Sequence, residues 1–319
     1  MRNGVTRAIR EAIAAARAPA IATVQRWRRG AEHRALERAF ADCPADSAEP
    51  AAERAERLLE DAGWAEMLLA PLAGALADDP FFEPPFRLSR DALRTGAVLF
   101  DCPAASLTGS VLGAAAMAAL PPPATIVFSG RVTVTRYVRA GGATLRRWRT
   151  EPITPGFSAA AAPPCMPLAP LALADGDVLR TDGRAHAQLL ADARSDVVML
   201  VFTMRGGAAA LMREHRVADG ALVRVASADD RASRIEMLLT FLRLAGRADA
   251  GARFDAATHE PAFHLRWAAM REWLALDAAA ALPRLEEMAA DDPNAEVRAA
   301  AALTLVTVRR RIGEAACRG

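Results

Sequence analysis

The sequence contains no lysine, a single tyrosine and no closely spaced cysteines. All 40 basic residues are arginines, which excludes a Schiff-base lysine and leaves the planar guanidinium group as the means of recognising anions. With the high alanine content, this composition is typical of a GC-rich bacterial genome. The four cysteines, Cys43, Cys102, Cys165 and Cys317, are far apart. We therefore expect free thiols in a reducing cytoplasm, without a zinc knuckle or a thioredoxin-like site.

Long apolar runs and a strong net charge are also absent. No segment is apolar over the roughly 20 residues needed to span a bilayer. The formal net charge of +2 gives no general attraction to nucleic acid or membranes. Residues 1–40 differ, with nine Arg and three Glu. We expect a basic helix there to pack on its own domain, and contact with a membrane surface or an acidic partner is the alternative.

The common catalytic signatures are missing. The sequence has no GxSxG nucleophile elbow, no phosphate-binding glycine-rich loop with lysine, no HExxH and no dinucleotide-binding fingerprint. These patterns therefore assign no reaction, and the fold has to supply the argument for a function.

Apolar spacing divides the chain into three parts. Residues 1–85 are predicted to be helical, because apolar residues recur at helical spacing at Leu58, Leu59, Ala62, Met67, Leu68, Leu72 and Leu76. Three prolines in residues 78–91 end this pattern. Residues 86–226 consist of short strand-like runs, and helical spacing returns in residues 227–319, with Ser227 as the predicted N-cap.

The middle part is predicted to be an antiparallel β-structure. Pairs such as Gly141-Gly142, Asp182-Gly183 and Gly206-Gly207 separate its apolar runs, and no helices are expected between them. The run at 197–202 is apolar on both faces, as in a central strand. In the run at 131–138, valines alternate with Thr133, Thr135 and Tyr137, which places the two sets on opposite faces.

This middle part resembles the cupin superfamily. The second cupin motif is present as GDVLRTDGRAH, with Gly176-Asp177, a turn at Asp182-Gly183, and His186. The first motif is matched in layout by residues 132–151. Arg147 and Arg149 occupy its His-x-His positions there, and Glu151 lies near its acidic position. The resemblance implies an α+β fold with a cupin-type (jelly-roll) β-barrel, flanked by N-terminal and C-terminal helices.

The C-terminal segment resembles a HEAT repeat over residues 263–310. Asp292-Pro293 would turn the chain, Val297 would face a neighbouring helix, and Ala300 and Ala301 would allow close packing. One such repeat is not stable alone, so we expect it to dock on the rest of the molecule, anchored by His264, Arg266, Trp267 and Trp273.

The two arginines decide what the cupin resemblance implies for chemistry. A guanidinium group stays protonated and has no lone pair to donate to a metal ion, so we expect no metal cofactor. In one possible register of this strand, Arg147 and Arg149 face the barrel interior and surround an anion, with His186, Tyr137 and Glu151 as further ligand contacts. The other register points Trp148 inward and both arginines to water. His215, among charged neighbours, is predicted to lie at the surface.

The expected function is a metal-free cupin-type module that binds an anionic small molecule or a peptide segment. The helical flanks are expected to dock a protein partner, in the cytoplasm and without nucleic acid. The alternative is a cupin-class enzyme, a non-haem iron or manganese oxygenase or an isomerase, acting on a peptide or metabolite. Its metal would be held by His186 and Glu151, with His215 and Asp182 as further ligands.

Overall fold

A computed structural model describes the backbone of residues 2–154 and 156–316. The fold is α+β: helices come first, antiparallel strands follow, and helices end the chain. Cys317 lies outside the described residues. In the part of the chain that the structure describes, no helix combines the length and apolar character required to cross a membrane.

Four helices form the N-terminal part: α1 (Arg2–Arg28), α2 (Ala31–Phe40), α3 (Glu49–Glu60) and α4 (Gly63–Asp78). Leu59, Leu68 and Leu72 are buried as the helical spacing predicts, whereas Met67 and Leu76 are exposed. The end of α1 packs on α4, and the indole nitrogen of Trp27 donates a hydrogen bond to the Leu68 carbonyl (2.7 Å).

The strands are β1 (Arg87–Arg90), β2 (Arg94–Asp101), β3 (Ala105–Leu112), β4 (Thr125–Phe128), β5 (Val132–Arg139), β6 (Thr144–Arg149), β7 (Met166–Ala172), β8 (Val178–Asp182), β9 (His186–Ala191), β10 (Val197–Met204), β11 (Leu211–Arg216) and β12 (Leu222–Ser227). The sequence pattern missed β1 and β7. It also missed a short helix, α5 (Ala114–Ala119), between β3 and β4, where no helix was expected.

The described strands form three antiparallel sheets. Sheet A has the order β1-β2-β3-β10-β5-β8, sheet B the order β12-β11-β4, and sheet C the order β7-β6-β9. Among the described residues, hydrogen bonds do not join these sheets into the closed barrel that was predicted. Sheet C faces sheet A, because Leu145 and Leu190 pack in one core cluster with Tyr137 and Met199.

Sheet A separates two environments. Val132 and Val134 of β5 and Phe202 of β10 pack in one core with the N-terminal helices. The opposite side of the same strands, including Tyr137 and Met199, faces sheet C. The prediction of a central strand at 197–202 is confirmed, because β10 lies between β3 and β5 and is apolar on both faces.

The C-terminal helices are α6 (Asp230–Leu244), α7 (Gly251–Ala257), α8 (Phe263–Leu276), α9 (Ala278–Asp291) and α10 (Ala295–Ala316). The predicted N-cap at Ser227 is wrong: Ser227 ends β12, and the side chain of Asp229 caps α6 by accepting from the Arg231 amide. Asp292-Pro293 lies between α9 and α10, and Val297 of α10 is buried. The HEAT-like repeat itself stays a prediction.

The segment between β6 and β7 docks on the C-terminal helices. The ring of Phe157 lies 6.4 Å from that of Phe263 on α8. The Ser158 hydroxyl donates to the Glu296 carboxylate (2.6 Å), and the Asn294 amide donates to the Phe157 carbonyl (3.1 Å). The predicted anchor residue Trp273 is instead buried in the core between the helices.

Candidate functional site

The space between sheets A and C contains a cavity of about 890 Å³, which we call the inter-sheet cavity. Its walls include strands β5, β9 and β10 and the segment that follows α5. The lining side chains are mainly apolar and include Leu112, Met117, Leu120, Pro121, Pro122, Pro123, Leu145, Leu190, Met199 and Val201. A cavity of this size and character is typical of a small-molecule site.

Strand β5 supplies the hydroxyl groups of the cavity. Thr133, Thr135 and Tyr137 line it, because side chains alternate along a strand and the intervening valines face the helices. Thr135 is 4% exposed and Tyr137 is 1% exposed. Within the described residues, none of the three hydroxyl groups makes a hydrogen bond, and none of their oxygens is among the buried polar atoms that lack a partner. The hydroxyl groups are therefore open to water or a ligand in the cavity.

Burial raises the pKa of Tyr137 to about 12, and the nearby negative charge of Asp177 acts in the same direction. The phenol therefore stays protonated at neutral pH and can donate a hydrogen bond to a ligand.

Gln188 of β9 adds a side-chain amide to the cavity, whose lining also includes Asp91, Arg94 and Asp192. Its side-chain oxygen accepts a hydrogen bond from the Thr181 hydroxyl (3.1 Å). This contact holds the amide in place and leaves its nitrogen as a donor toward the cavity.

Strand β6 carries the predicted arginines, and its register shows which face each one occupies. Arg147 pairs with Gln188, Arg149 pairs with His186, and Trp148 pairs with Ala187. Paired residues share a face, so both arginines lie on the face directed toward sheet A. Trp148 lies on the other face, in a small core with Ala187. Neither predicted register therefore holds in full: Arg147 lies on the inner face, but Trp148 is buried on the other face and Arg149 is exposed.

The two arginines nevertheless differ in their surroundings. Arg147 is half-buried, and its Nε and Nη2 donate to the Ala169 carbonyl of β7 (3.2 and 3.0 Å). It lines a smaller cavity of about 230 Å³ that adjoins the inter-sheet cavity at Leu145 and Gln188. Arg149 is exposed and lines neither cavity.

The remaining predicted site residues, His186 and Glu151, lie apart from each other. His186 is exposed and lines the smaller cavity together with Arg147. Glu151 follows β6 with an exposed side chain, and its carbonyl accepts from Nη1 of Arg213 (2.6 Å). The structure thus brings Tyr137 to the inter-sheet cavity and Arg147 and His186 to the adjoining one.

Sequence reasoning missed Arg146, which lines the inter-sheet cavity. Its guanidinium carbon lies 5.3 Å from the centre of the Trp148 ring, a distance at which a cation and an aromatic ring attract each other. Neither Arg146 nor Arg147 has a carboxylate partner in the part of the chain that the structure describes. The Arg146 guanidinium, stacked on Trp148, lies on the face of β6 away from sheet A. Among the described residues of β6, Arg147 is therefore the cavity-lining cation without an ion pair on the inner face, and such a charge favours an anion. The inter-sheet cavity itself is lined by Arg94 and by two carboxylates, Asp91 and Asp192.

The residues at the cupin metal positions do not fit a metal ion. His186 stands opposite Arg149, and a guanidinium cannot coordinate a cation. Asp182 lines the smaller cavity together with His186, but its carboxylate is already paired with Arg184 (2.8 Å). Within residues 2–154 and 156–316, no three His, Cys, Asp or Glu side chains are grouped so that they could hold a metal ion.

The prediction that His215 lies at the surface is wrong. His215 is 0% exposed, and its Nδ1 lies 2.8 Å from the Gly220 carbonyl oxygen, to which it donates a hydrogen bond. Its ring contacts that of Phe128 (5.1 Å). Glu214 and Arg216 point to the opposite face of β11, and Arg213, on the same face as His215, is itself buried.

A second cleft of about 870 Å³ lies between the β10–β11 loop and the C-terminal helices. Its cationic side chains already have partners: Arg184 pairs with Asp182, Arg266 with Asp292, and Arg284 with Glu287. These guanidinium groups are therefore less available to a ligand than those of β6.

Comparison with known proteins assigns no family. No protein-family model matches the sequence, and neither does any curated protein. Three solved structures have weak similarity. The 7S globulin of Momordica charantia is 11% identical at a TM-score of 0.26, over 41% of this chain and 35% of the globulin chain. This chain therefore spans well under half of the globulin.

The other two structures are the DMSP lyases RdDddP and RnDddQII and Fe(II)-HppE with the alternative substrate (S)-1-HPP. The lyase match has 15% identity and a TM-score of 0.25, over 62% of this chain and 94% of that chain. The HppE match has 12% identity and a TM-score of 0.24, over 46% and 85% of the two chains. Similarities this low assign neither a fold nor an activity to this chain.

Proposed function

We propose that this protein is a binding module of cupin type that holds a small anionic molecule in the inter-sheet cavity. The observation that carries this proposal is Arg147 on β6. It lines the smaller cavity, which adjoins the inter-sheet cavity, and it has no carboxylate partner among the described residues. Arg149 and Glu151 have no part in it, because both side chains are exposed outside the two cavities.

The chemistry of the cavity supports an organic anion over a simple inorganic one. A guanidinium group binds a carboxylate or phosphate through short, charge-assisted hydrogen bonds. The apolar wall formed by Leu145, Leu190 and Met199 would contact the body of such a molecule, and Tyr137 would donate to a polar group on it. His186, beside Arg147, would be a further contact in the smaller cavity.

Binding of organic acids to variants of β6 tests this function. Isothermal titration would compare a panel of carboxylates and phosphates with uncharged analogues of the same shape. We expect Arg147→Gln to weaken binding roughly 10- to 100-fold, since a hydrogen bond to a charged group contributes about 1.5–3 kcal/mol. Arg90→Gln, an exposed arginine on β1, is the control and should have no effect.

Equal affinity for charged and uncharged analogues would overturn the proposal, and so would unchanged affinity in Arg147→Gln. The metal content of tag-free protein, beside a His186→Ala variant, tests the enzyme alternative. Stoichiometric iron or manganese that disappears in this variant would make a cupin metalloenzyme the better hypothesis.

Docking of a protein partner by the helical segments stays a prediction. Helix α6 does expose an apolar stripe, formed by Met237, Leu238, Phe241 and Leu244. Nothing in the structure shows what covers it.

A further inference from the structure

The inner face of sheet C changes in polarity along its length. Arg147 of β6 stands beside Gln188 of β9, and at the next position along the same face Leu145 stands beside Leu190. Asp192, which directly follows β9, continues this face because side chains alternate along a strand. The wall therefore passes from a cation, through a pair of leucines, to a carboxylate.

The cation end of this wall lies in the smaller cavity of about 230 Å³. Nε and Nη2 of Arg147 donate to a carbonyl of β7, and within the described residues Nη1 makes no hydrogen bond, so it remains available to an anion. Gln188 and His186 add donors to the same lining, whereas Asp182 is already paired with Arg184. This end therefore offers several donors to one carboxylate.

The opposite end of the inter-sheet cavity disfavours an anion. Asp91, Arg94 and Asp192 line it, and all three side chains are exposed. They lie at one end, because Arg94 stands beside Leu112 and Leu112 beside Val197, where the turn that follows Asp192 leads. Two carboxylates and one guanidinium leave a net negative charge here, so a ligand carboxylate is favoured at the Arg147 end.

Between the two ends the cavity is mainly apolar. Leu145 and Leu190 form one wall, and Met199 and Val201 of β10 lie on the facing one. The hydroxyl row of β5 borders this surface on one side. Water against apolar side chains makes few hydrogen bonds, so its replacement by an apolar group is favourable.

We propose that the ligand is a monocarboxylic acid with an apolar chain of medium length. Its carboxylate would accept hydrogen bonds from Arg147 in the smaller cavity. Its chain would pass Leu145 and Gln188, where the two cavities adjoin, and lie along Leu190 toward Asp192. This inference rests on the proposed function and specifies the ligand of the same cavity.

The length of the wall sets the length of the chain. Asp192 is four residues after Gln188, a distance of about 13 Å at the rise of an extended strand. Because a carbon–carbon bond of about 1.5 Å advances a zigzag chain by somewhat less than its own length, about ten carbons cover this distance. A shorter chain would leave apolar surface in contact with water, and a longer one would meet the carboxylates.

A chain-length series tests the inference on the full-length protein. Isothermal titration, below the concentrations at which micelles form, would compare hexanoate, octanoate, decanoate and dodecanoate. We expect affinity to rise roughly two- to fourfold for each methylene group up to about decanoate, and then to level off.

Two further probes test the ends of the ligand. Decanol lacks the carboxylate, and decanedioate carries a second one that would meet Asp91 and Asp192. Each should bind about tenfold more weakly than decanoate or worse, because decanol loses the charge-assisted hydrogen bonds and decanedioate adds like charge beside the two carboxylates.

Two substitutions separate the head of the ligand from its chain. Arg147→Gln should weaken all the acids by a similar factor, roughly 10- to 100-fold, and leave the dependence on chain length intact. Val201→Trp fills part of the cavity and should abolish the rise in affinity between hexanoate and decanoate. Val111→Trp, at an exposed valine of β3, is the control and should change neither. The wild-type series decides the inference even where Val201→Trp does not fold.

The outcomes separate this inference from the proposed function. Acids that bind equally well at every chain length, but more weakly to Arg147→Gln, would overturn the apolar chain and leave anion binding intact. Decanedioate binding as tightly as decanoate would overturn the single carboxylate. Decanol binding as tightly as decanoate, with no loss of decanoate binding in Arg147→Gln, would overturn anion binding itself. Absence of binding by the whole series would overturn this inference, and the wider panel of acids would then decide the proposed function.

Discussion

The buried ring of His215 makes the stability of the folded protein sensitive to acid. Burial, assisted by the charge of Arg213, lowers the pKa of His215 below its ordinary value. The unfolded chain therefore binds a proton at a higher pH than the folded chain does. Stability contributed by the neutral ring is present above the ordinary histidine pKa of about 6.5 and is lost as the pH falls below it.

Urea unfolding at pH 7.5 and pH 5.5 would measure this effect. We expect the wild type to lose stability between the two values, and His215→Gln to lose less. His259→Gln, which changes an exposed side chain, should behave as the wild type does. His33 and His264 also have pKa values lowered mainly by burial, so part of the pH dependence should remain in the His215 variant. An undiminished dependence in His215→Gln would contradict the assignment.

The ion pair between Arg266 and Asp292 is the most deeply buried one among the described residues. The two side chains are 8% and 1% exposed, and Nη2 lies 2.7 Å from Oδ1. Arg266 also donates to the Glu260 and Pro261 carbonyls. One guanidinium group thus fastens the start of α8 to the turn between α9 and α10.

Breaking this pair should be costly, because removal of one partner leaves the other buried and uncompensated. We expect Asp292→Asn to lower the free energy of unfolding by about 3–5 kcal/mol, measured by urea denaturation. Arg309→Gln removes an exposed ion pair with Glu286 and should change it by less than about 1 kcal/mol. Similar effects of the two substitutions would refute the special role of the buried pair.

At the scale of elements, β7 shows why an edge strand is hard to detect. Its sequence, MPLAPLA, contains Pro167 and Pro170, and proline cannot donate to a β-ladder. Because β7 pairs only with β6, one side of the strand needs no partner, and its prolines are tolerated there. The sequence pattern alone favoured a loop.

Over the whole molecule, the N-terminal helices and sheet A share one core. Phe40 of α2 contacts Phe202 of β10, with ring centres 5.3 Å apart. The Arg136 side chain of β5 donates to the Leu59 carbonyl at the end of α3 (2.6 Å). The first 85 residues therefore cover an apolar face of the sheet that would otherwise meet water.

A chain truncated before residue 86 should accordingly fail to form a stable monomer. Exposed sheet faces of this kind associate, so we expect aggregates in size-exclusion chromatography and increased binding of a hydrophobic dye. Truncation before residue 14 removes only the first half of α1 and serves as the control. A monomeric, cooperatively unfolding protein without residues 1–85 would show that these helices are dispensable.

The order of helices and strands could be predicted from the sequence, because it depends on local periodicity. Valines alternating with Thr133, Thr135 and Tyr137 are enough to place the hydroxyl groups on one face of a strand. The same alternation places Arg147 and Arg149 together. The absence of lysine likewise follows from the sequence alone, and it leaves arginine as the cation for any anion site.

Only the tertiary structure decided what each face meets. Arg147 lines a cavity and Arg149 does not, although the two lie on the same face with only Trp148 between them in sequence. His215 is buried because Phe128 and Gly220, contributed by other segments, enclose it. The Arg146 guanidinium instead stacks on Trp148, on the other face of the same strand. Such outcomes depend on contacts between segments far apart in the chain, which local periodicity does not encode.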